Sequence, residues 1–269
     1  MNRGEYAELI VKRISPYREV LREEFSTKGR IRSFVVDDLF EERVAREIYE
    51  AFPKKEAMIF KNDLRERKYI AAQMNRYSPL LEEALYGFQD PRVFSLISEI
   101  TGIPHLTPDE HLYAGGISLM TEGDYLNPHI DNSHDQDQKN FRVLNLLYYV
   151  TPAWAEAYGG NLELWDRGVQ KECRVVPSQF NRLVVMATGR SSWHSVSKVI
   201  PPDRRCCLSN YFFSPRSVEG EDYFHVTSFR GRPGAKVLDW VLQCDNALRN
   251  GIRKIFRKGM IKTSHIYQK

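Results

Sequence analysis

The chain has 269 residues, 42% of them hydrophobic and 28% charged, with a formal net charge of +4. That is enough chain to bury a substantial core, and the balance is ordinary for a globular protein. No apolar run is long enough for a transmembrane helix, Met1-Asn2-Arg3-Gly4-Glu5 lacks the apolar centre of a secretion signal, and no internal repeat or specific nucleic-acid motif is present.

The four cysteines, Cys173, Cys206, Cys207 and Cys244, form no Cys-x-x-Cys pair. Adjacent Cys206 and Cys207 point to opposite faces of a strand, which disfavours a bond between them. Reduced thiols in a cytoplasmic protein are the expectation.

Residues from about Glu5 to Phe25 have helical spacing, with Leu9, Ile10, Ile14, Tyr17, Val20 and Leu21 on one face and Pro16 dividing the helix. Ser33 to Phe40 reads as a strand running into a turn, followed by an amphipathic helix from Glu41 to Phe52 that Pro53 ends. Asp37 or Asp38 is expected to cap that helix. Residues 54–78 are dense in Lys, Arg, Asp and Glu and suggest a mobile flap or an irregular surface excursion. Two further helices are expected over Pro79 to Phe88 and Pro91 to Thr101, the second closed by Gly102 and Pro104.

From about Leu112 to Ser214 the segments are short, rich in Val, Leu, Tyr and Phe, and separated by Gly, Pro, Asn and Asp. This pattern predicts a closed sandwich or jelly roll with the preceding helices packed on one sheet. The expected organisation is a single domain over 1–269. It comprises a helical flank 1–111, a β core at about 112–214 and a basic, helical C-terminal tail 215–269.

Within the β region, Pro128-His129-Ile130-Asp131-Asn132 places an imidazole and a carboxylate on one side of an extended segment, and Ser192-Trp193-His194-Ser195 supplies a second imidazole. Two histidines and one carboxylate with open positions form the facial triad of non-haem Fe(II) oxygenases. A surface turn accounts for an isolated His-x-Asp equally well, so the surrounding order of motifs decides. Tyr125-Leu126-Asn127-Pro128 is an extended lead-in, and Arg142 to Val150 is a buried strand. Gly159-Gly160 turns into Asn161-Leu162-Glu163-Leu164-Trp165. Asn181 to Met186 precedes His194, and Arg204-Arg205-Cys206-Cys207-Leu208-Ser209-Asn210-Tyr211 opens a cationic strand after it.

This ordered run, over roughly 112–214, closely resembles the 2-oxoglutarate/Fe(II)-dependent oxygenases, in particular their prolyl 4-hydroxylase-like branch. The resemblance implies an α+β, mainly β, cupin-like double-stranded β-helix (a jelly roll) with the metal at its open end. His129, Asp131 and His194 would be the iron ligands and Arg205 would hold the distal carboxylate of 2-oxoglutarate. Arg204 is the alternative. Arg205 shares a strand face with Cys207, Ser209 and Tyr211, whereas Arg204 lies with Cys206, Leu208 and Phe212. Tyr149 matches a tyrosine whose hydroxyl reaches the same carboxylate, although a barrel-core aromatic is the other reading. The resemblance implies Fe(II), 2-oxoglutarate and O2, with ascorbate as an auxiliary reductant. The expected reaction is hydroxylation of an unactivated C–H bond in a prolyl or other protein side chain, a free amino acid, or a sugar or natural-product intermediate, with release of succinate and CO2.

One position departs from that pattern: Leu119, ten residues before His129, stands where some relatives carry a tyrosine. Asn145 and Trp193 are possible neighbours of the site, His134 is read as a loop residue, and 54–78 and 132–140 are expected to shape the substrate pocket. A zinc hydrolase would leave Arg205 without a role.

The stretch from Lys236 to Met260 is helical and amphipathic in pattern, and from Arg249 onward Arg249, Arg253, Lys254, Arg257, Lys258, Lys262 and Lys269 occur without Asp or Glu. This is the solvated face of a docked helix or a contact for an anionic surface, such as a membrane, a phosphorylated or glycolipid ligand, or nucleic acid. A non-catalytic jelly-roll module that binds an anionic partner through this tail is the alternative to an enzyme.

Overall fold

The computed structural model of the protein describes residues 1–255 and Tyr267; Arg257, Lys258, Lys262, Lys269 and the expected helical continuation to Met260 lie outside the described residues. The helices are α1 Arg3–Ile14, α2 Arg18–Phe25, α3 Glu42–Glu50, α4 Pro79–Gly87, α5 Pro91–Thr101 and α6 Lys236–Ile255. The strands are β1 Ser33–Val36, β2 Ile59–Asn62, β3 Glu66–Ala71, β4 Thr107–Pro108, β5 Gly116–Met120, β6 Tyr125–Ile130 and β7 Phe141–Tyr149. They continue with β8 Leu162–Leu164, β9 Arg174–Val176, β10 Arg182–Ala187, β11 His194–Val196, β12 Arg205–Ser214 and β13 Ser228–Phe229.

Local chemistry sets the helix ends. Asn2 and Glu5 form a reciprocal capping box at α1. Asp90 accepts from the Arg92 amide ahead of Pro91, and Gly102 closes α5 in the left-handed region at φ 68°. The 3₁₀ turn Ser15–Tyr17, built on Pro16, shifts the phase between α1 and α2. Leu21 and Phe25 therefore face the core, while Tyr17 and Val20, expected inside, are exposed. Neither Asp37 nor Asp38 caps α3, whose N-cap residue Glu41 makes no side-chain bond. Asp37 instead pairs with Arg182 at 2.6 and 2.9 Å, and Asp38 turns the chain at φ 50°.

The strands form an antiparallel, 13-stranded curled sheet in the order β1-β10-β7-β12-β5-β3-β6-β11-β8-β9, with β13 on β6, β2 on β3 and β4 on β12. Alternate residues separate two cores. Phe34, Tyr148, Leu183, Val185, Leu208 and Phe212 pack against α1, α2 and α4 through Tyr6, Ile10, Phe25 and Leu85. Tyr149, Val184, Met186 and Cys207 point the other way, toward Leu162, Leu164 and Val176 across the barrel. This is the expected mainly β jelly roll with helices on one sheet.

Two segments read otherwise from the sequence belong to the sheet. Residues 59–71 form the β2–β3 hairpin; β3 pairs with β6 at Glu66 and Arg67, then with β5 from Tyr69 to Ala71, and so bridges the barrel wall. The approach requires Gly116, at φ 127°, because a Cβ there would lie 2.3 Å from the Ala71 carbonyl oxygen. In the C-terminal segment, β13 extends β6 before α6 begins, with Phe229 opposite His129.

Candidate metal and cosubstrate site

β6 and β11 pair antiparallel with His129 directly opposite His194. The imidazole centroids are 4.1 Å apart. Asp131, just beyond the end of β6, brings Oδ1 to 3.7 Å from His129 Nε2 and Oδ2 to 3.6 Å from His194 Nε2. The three residues can each direct one ligand atom at a common point, with those atoms all within 4.8 Å of one another. Such spacing leaves room for a single ion.

The ring nitrogens are already committed. His129 Nδ1 lies 3.0 Å from the Asn127 carbonyl oxygen and His194 Nδ1 lies 2.9 Å from that of Ser192. A carbonyl only accepts, so each Nδ1 carries the proton and each Nε2 presents a lone pair. Burial, reinforced by the neighbouring His194, holds the His129 pKa well below its usual value. Burial also lowers that of His194, against the opposing pull of Asp131. Both imidazoles are therefore neutral, as metal ligation requires.

Asp131 is fixed by two neighbours. Asn145 Nδ2 donates to its Oδ2 at 2.8 Å, and an Arg142 nitrogen stands 3.2 Å from the same oxygen. Burial alone would raise the carboxyl pKa; the adjacent Arg142 guanidinium, helped by the Asn145 hydrogen bond, pulls it the other way, and the group stays well below the carboxylate range. Arg142 is itself held by Asn145 Oδ1 (3.2 Å), Asn132 Oδ1 (3.1 Å) and the face of Tyr211, 3.6 Å away. Oδ2 thus takes the hydrogen bonds and Oδ1 remains for a metal.

A cavity of about 370 Å³ opens over this face, within the range of small-molecule sites. Arg205 and Tyr149 line it; Arg204 does not. Arg204 turns outward to the Tyr49 and Phe52 carbonyls and the Tyr49 ring. Arg205 is buried, with Nε and a terminal nitrogen each 3.2 Å from Ser178 Oγ, Met120 Sδ at 3.8 Å and the Tyr149 ring 4.6 Å below its guanidinium. Among the described residues no carboxylate pairs with it. The Tyr149 hydroxyl is buried beside it without a hydrogen-bond partner. An uncompensated buried cation and an orphaned hydroxyl in one cavity are the complement of a carboxylate, so the residues fit a dicarboxylate cosubstrate as well as a metal.

Met120, not Leu119, faces Arg205 in the β5–β12 ladder. Leu119 packs in the helix-facing core, so its position carries no ligand contact. His134 is buried away from the triad, against Phe141 and the Ser133 hydroxyl. Trp193 is half-buried and outside the cavity lining, whereas Asn145 lines it. None of residues 132–140 lines the cavity, although Asn132 supports Arg142 behind it.

Several lining residues come from segments that the sequence marked only as a whole, 54–78 as a pocket-shaping excursion and the C-terminal stretch as a basic tail. On the hairpin, Lys61 stands directly opposite Lys68, and Lys68 Nζ pairs with Glu66 at 2.8 Å. From the C-terminal segment, Phe229 stacks on His129 with centroids 5.2 Å apart. Arg249 reaches the rim from α6, where Asp245 holds both Arg249 (2.8 Å) and Arg65 (2.7 Å). The signal for the hairpin was the alternation Glu66, Lys68, Ile70, all three of which face the cavity. The signal for Arg142 was a charge inside the apolar run that ends at Val150.

Two neutral histidines and one carboxylate at an open cavity are the donor set of the facial triad of non-haem iron oxygenases. Comparison with known proteins points the same way: residues 115–213 match the 2OG-Fe(II) oxygenase superfamily. A mouse prolyl 3-hydroxylase, OGFOD1, is 30% identical over 97 residues, which are 34% of this chain and 17% of that protein. The match thus spans a minor part of the curated relative's length.

In fold, the chain is similar to a Trichoplax adhaerens prolyl hydroxylase solved with a hypoxia inducible factor peptide (TM-score 0.54, 18% identity, 76% of this chain and 91% of that one). It is also similar to a Pseudomonas putida prolyl-4-hydroxylase (0.55, 15%, 73% and 98%). A Phytophthora capsici prolyl 4-hydroxylase gives 0.56 at 17% identity, covering 96% of this chain and 81% of that one.

Proposed function

We propose that this protein is an Fe(II)- and 2-oxoglutarate-dependent dioxygenase that hydroxylates an unactivated C–H bond, with peptidyl proline as the first substrate class. His129, Asp131 and His194 hold the metal through Nε2, Oδ1 and Nε2. Arg205 pairs with the distal carboxylate of 2-oxoglutarate, and the Tyr149 hydroxyl donates to the same group. When bound, iron and 2-oxoglutarate supply oxidative decarboxylation with O2, yielding succinate and CO2. The chain's own residues orient the ligands and pair with the distal carboxylate of the cosubstrate. Phe229 shields one face of His129, and Asn145 with Arg142 fixes the carboxylate.

The observation that carries this reading is the buried Arg205 guanidinium, without a carboxylate partner among the described residues, beside the orphaned Tyr149 hydroxyl and in the same cavity as the triad. The prolyl assignment is supported by the prolyl 3-hydroxylase that shares 30% identity over 97 residues. The free cysteines, two of them buried, support a reducing compartment such as the cytoplasm.

The test is incubation in air with Fe(II), 2-oxoglutarate and a panel of proline-containing peptides, reading succinate and substrate mass. Succinate formation with addition of one oxygen atom to a prolyl peptide is the expected result. Succinate without any oxidised peptide would move the substrate to another class, and no succinate would remove the enzymatic reading.

A further inference from the structure

α6 has two faces with different partners. The inner face is tied to the body. Leu242 is buried, Asp239 pairs with Arg230 at 2.6 Å, Asn246 bonds both the amide and the carbonyl of Phe229, and Arg249 donates to the Thr227 carbonyl at 2.7 Å. The outer face carries Val237 (79% exposed), Trp240 (68%), Val241 (37%) and Leu248 (64%), with exposed Cys244 among them. At 100° per residue these five positions share one stripe, about 17 Å long at a rise of 1.5 Å per residue. The inner-face bonds fix the orientation of α6, so this apolar ridge is presented outward.

Charge distinguishes among occupants of such a ridge. After Arg249 the sequence carries Arg253, Lys254, Arg257, Lys258, Lys262 and Lys269 and no acidic residue. A convex apolar ridge with a tryptophan, leading into an uninterrupted basic segment, has the composition of an element that lies in the interface of an anionic bilayer. None of the described helices is long and apolar enough to cross a membrane, so contact through α6 would be in the plane of the surface. Trp240, apolar over most of its ring with one N–H donor, suits the headgroup level.

We propose that α6 docks this protein on an anionic lipid surface, with the Val237–Trp240–Val241–Leu248 stripe inserted among the headgroups and the following basic residues neutralising acidic lipids. This rests on the geometry of α6 and not on the catalytic reading. Its consequence for the site is positional. Arg249, on the inner side of the same helix, lines the cavity, so docking would bring the cavity rim within about one helix diameter, roughly 10–12 Å, of the bilayer surface.

The experiment is co-sedimentation of the intact protein with phosphatidylcholine vesicles, with and without phosphatidylserine, at low and moderate salt. Binding is expected only to the phosphatidylserine vesicles, weakening with salt. The Trp240→Ser/Leu248→Ser double variant should bind at least about tenfold more weakly, since each substitution removes a large apolar side chain from the interface. Wild-type tryptophan emission should shift to the blue on vesicle addition. Trp240→Phe should retain binding and lose that shift, because Trp154 and Trp165 are buried and Trp193 is half-buried.

Absence of binding to phosphatidylserine vesicles at low salt would overturn the proposal, as would binding that the double variant leaves unchanged. A lipid-independent dimer that the same double variant dissolves would assign the ridge to a second copy of the chain instead. Substrate-free succinate formation is expected to be the same in the double variant and the wild type. The catalytic reading and the docking proposal therefore fail on different measurements.

Discussion

Strands β7 and β12 present two different materials on alternate residues. Toward the helices they set Tyr148, Cys206, Leu208 and Phe212 in a dense apolar layer, with Phe40 and Phe88 ringed around Tyr148 at 5.3 and 5.7 Å. Toward the barrel interior the same strands set Asn145, Tyr149, Arg205 and Tyr211, whose polar groups line a cavity and are completed only in part by protein. The helix-facing layer supplies stability, and the inner layer spends part of it on an uncompensated cation. A strand packed firmly on one face can hold an incompletely paired polar site on the other, because both faces share one hydrogen-bonded backbone.

That division is open to attack from each side. The largest effect is expected on the inner face at Arg205. Arg205→Ala should weaken 2-oxoglutarate binding by a factor on the order of a hundred to a few thousand, the consequence of removing one member of a buried ion pair. Arg204→Ala, one residue away on the outer face, should leave that affinity unchanged; calorimetric titration under anaerobic conditions separates the two. On the helix face, Phe212→Ala should cost about 3–5 kcal/mol of stability by urea unfolding, yet leave 2-oxoglutarate affinity within a few-fold under conditions where the protein stays folded.

Asn145→Ala offers a finer probe, because Asn145 donates to Asp131 Oδ2 and also accepts from Arg142. Metal affinity should fall roughly 10–100-fold, the usual consequence of removing a partner behind a ligand, with little change in melting temperature.

The smallest effect belongs to Cys206, whose thiol burial pushes from near 9 up to about 12. Its folded pKa lies above the unfolded one, so its contribution to stability is complete below pH 9 and is lost as the pH rises toward 12. Cys206→Ser should therefore flatten part of the alkaline decline measured between those limits. A decline of equal steepness would show that other groups dominate it.

Side-chain direction along a strand is a local property, so the period of two separated Arg205 from Arg204 and Cys206 from Cys207; the family resemblance, not the period, pointed to the face that carries Arg205. The jelly-roll class and the α4 and α5 boundaries were legible for the same reason: short β segments, Pro at helix starts and Gly102 at a helix end are local signals.

What was not legible depended on distant pairing. Lys61, Glu66 and Lys68 lie in a segment read as a flap or irregular excursion near the pocket; that they belong to a hairpin emerges only when β3 is placed between β5 and β6, an arrangement that depends on Gly116 far along the chain. Arg142 was read as part of a strand, since nothing near it in sequence says that its head returns to Asp131. Phe229 and β13 were hidden inside a segment whose basic composition pointed to a tail. The Asp37 pairing with Arg182 likewise joins residues well separated in sequence, whereas helix capping was the local alternative.

His129, Asp131, His194 and Arg205 are proposed to form one site for Fe(II) and 2-oxoglutarate. Anaerobic titration of the intact protein with both, followed by visible spectroscopy, tests it most directly. The wild type is expected to show a weak metal-to-ligand charge-transfer band, retained in His134→Ala and Arg204→Ala and lost in His129→Ala and Asp131→Ala. No band in folded wild-type protein, together with no succinate on admission of air, would contradict it.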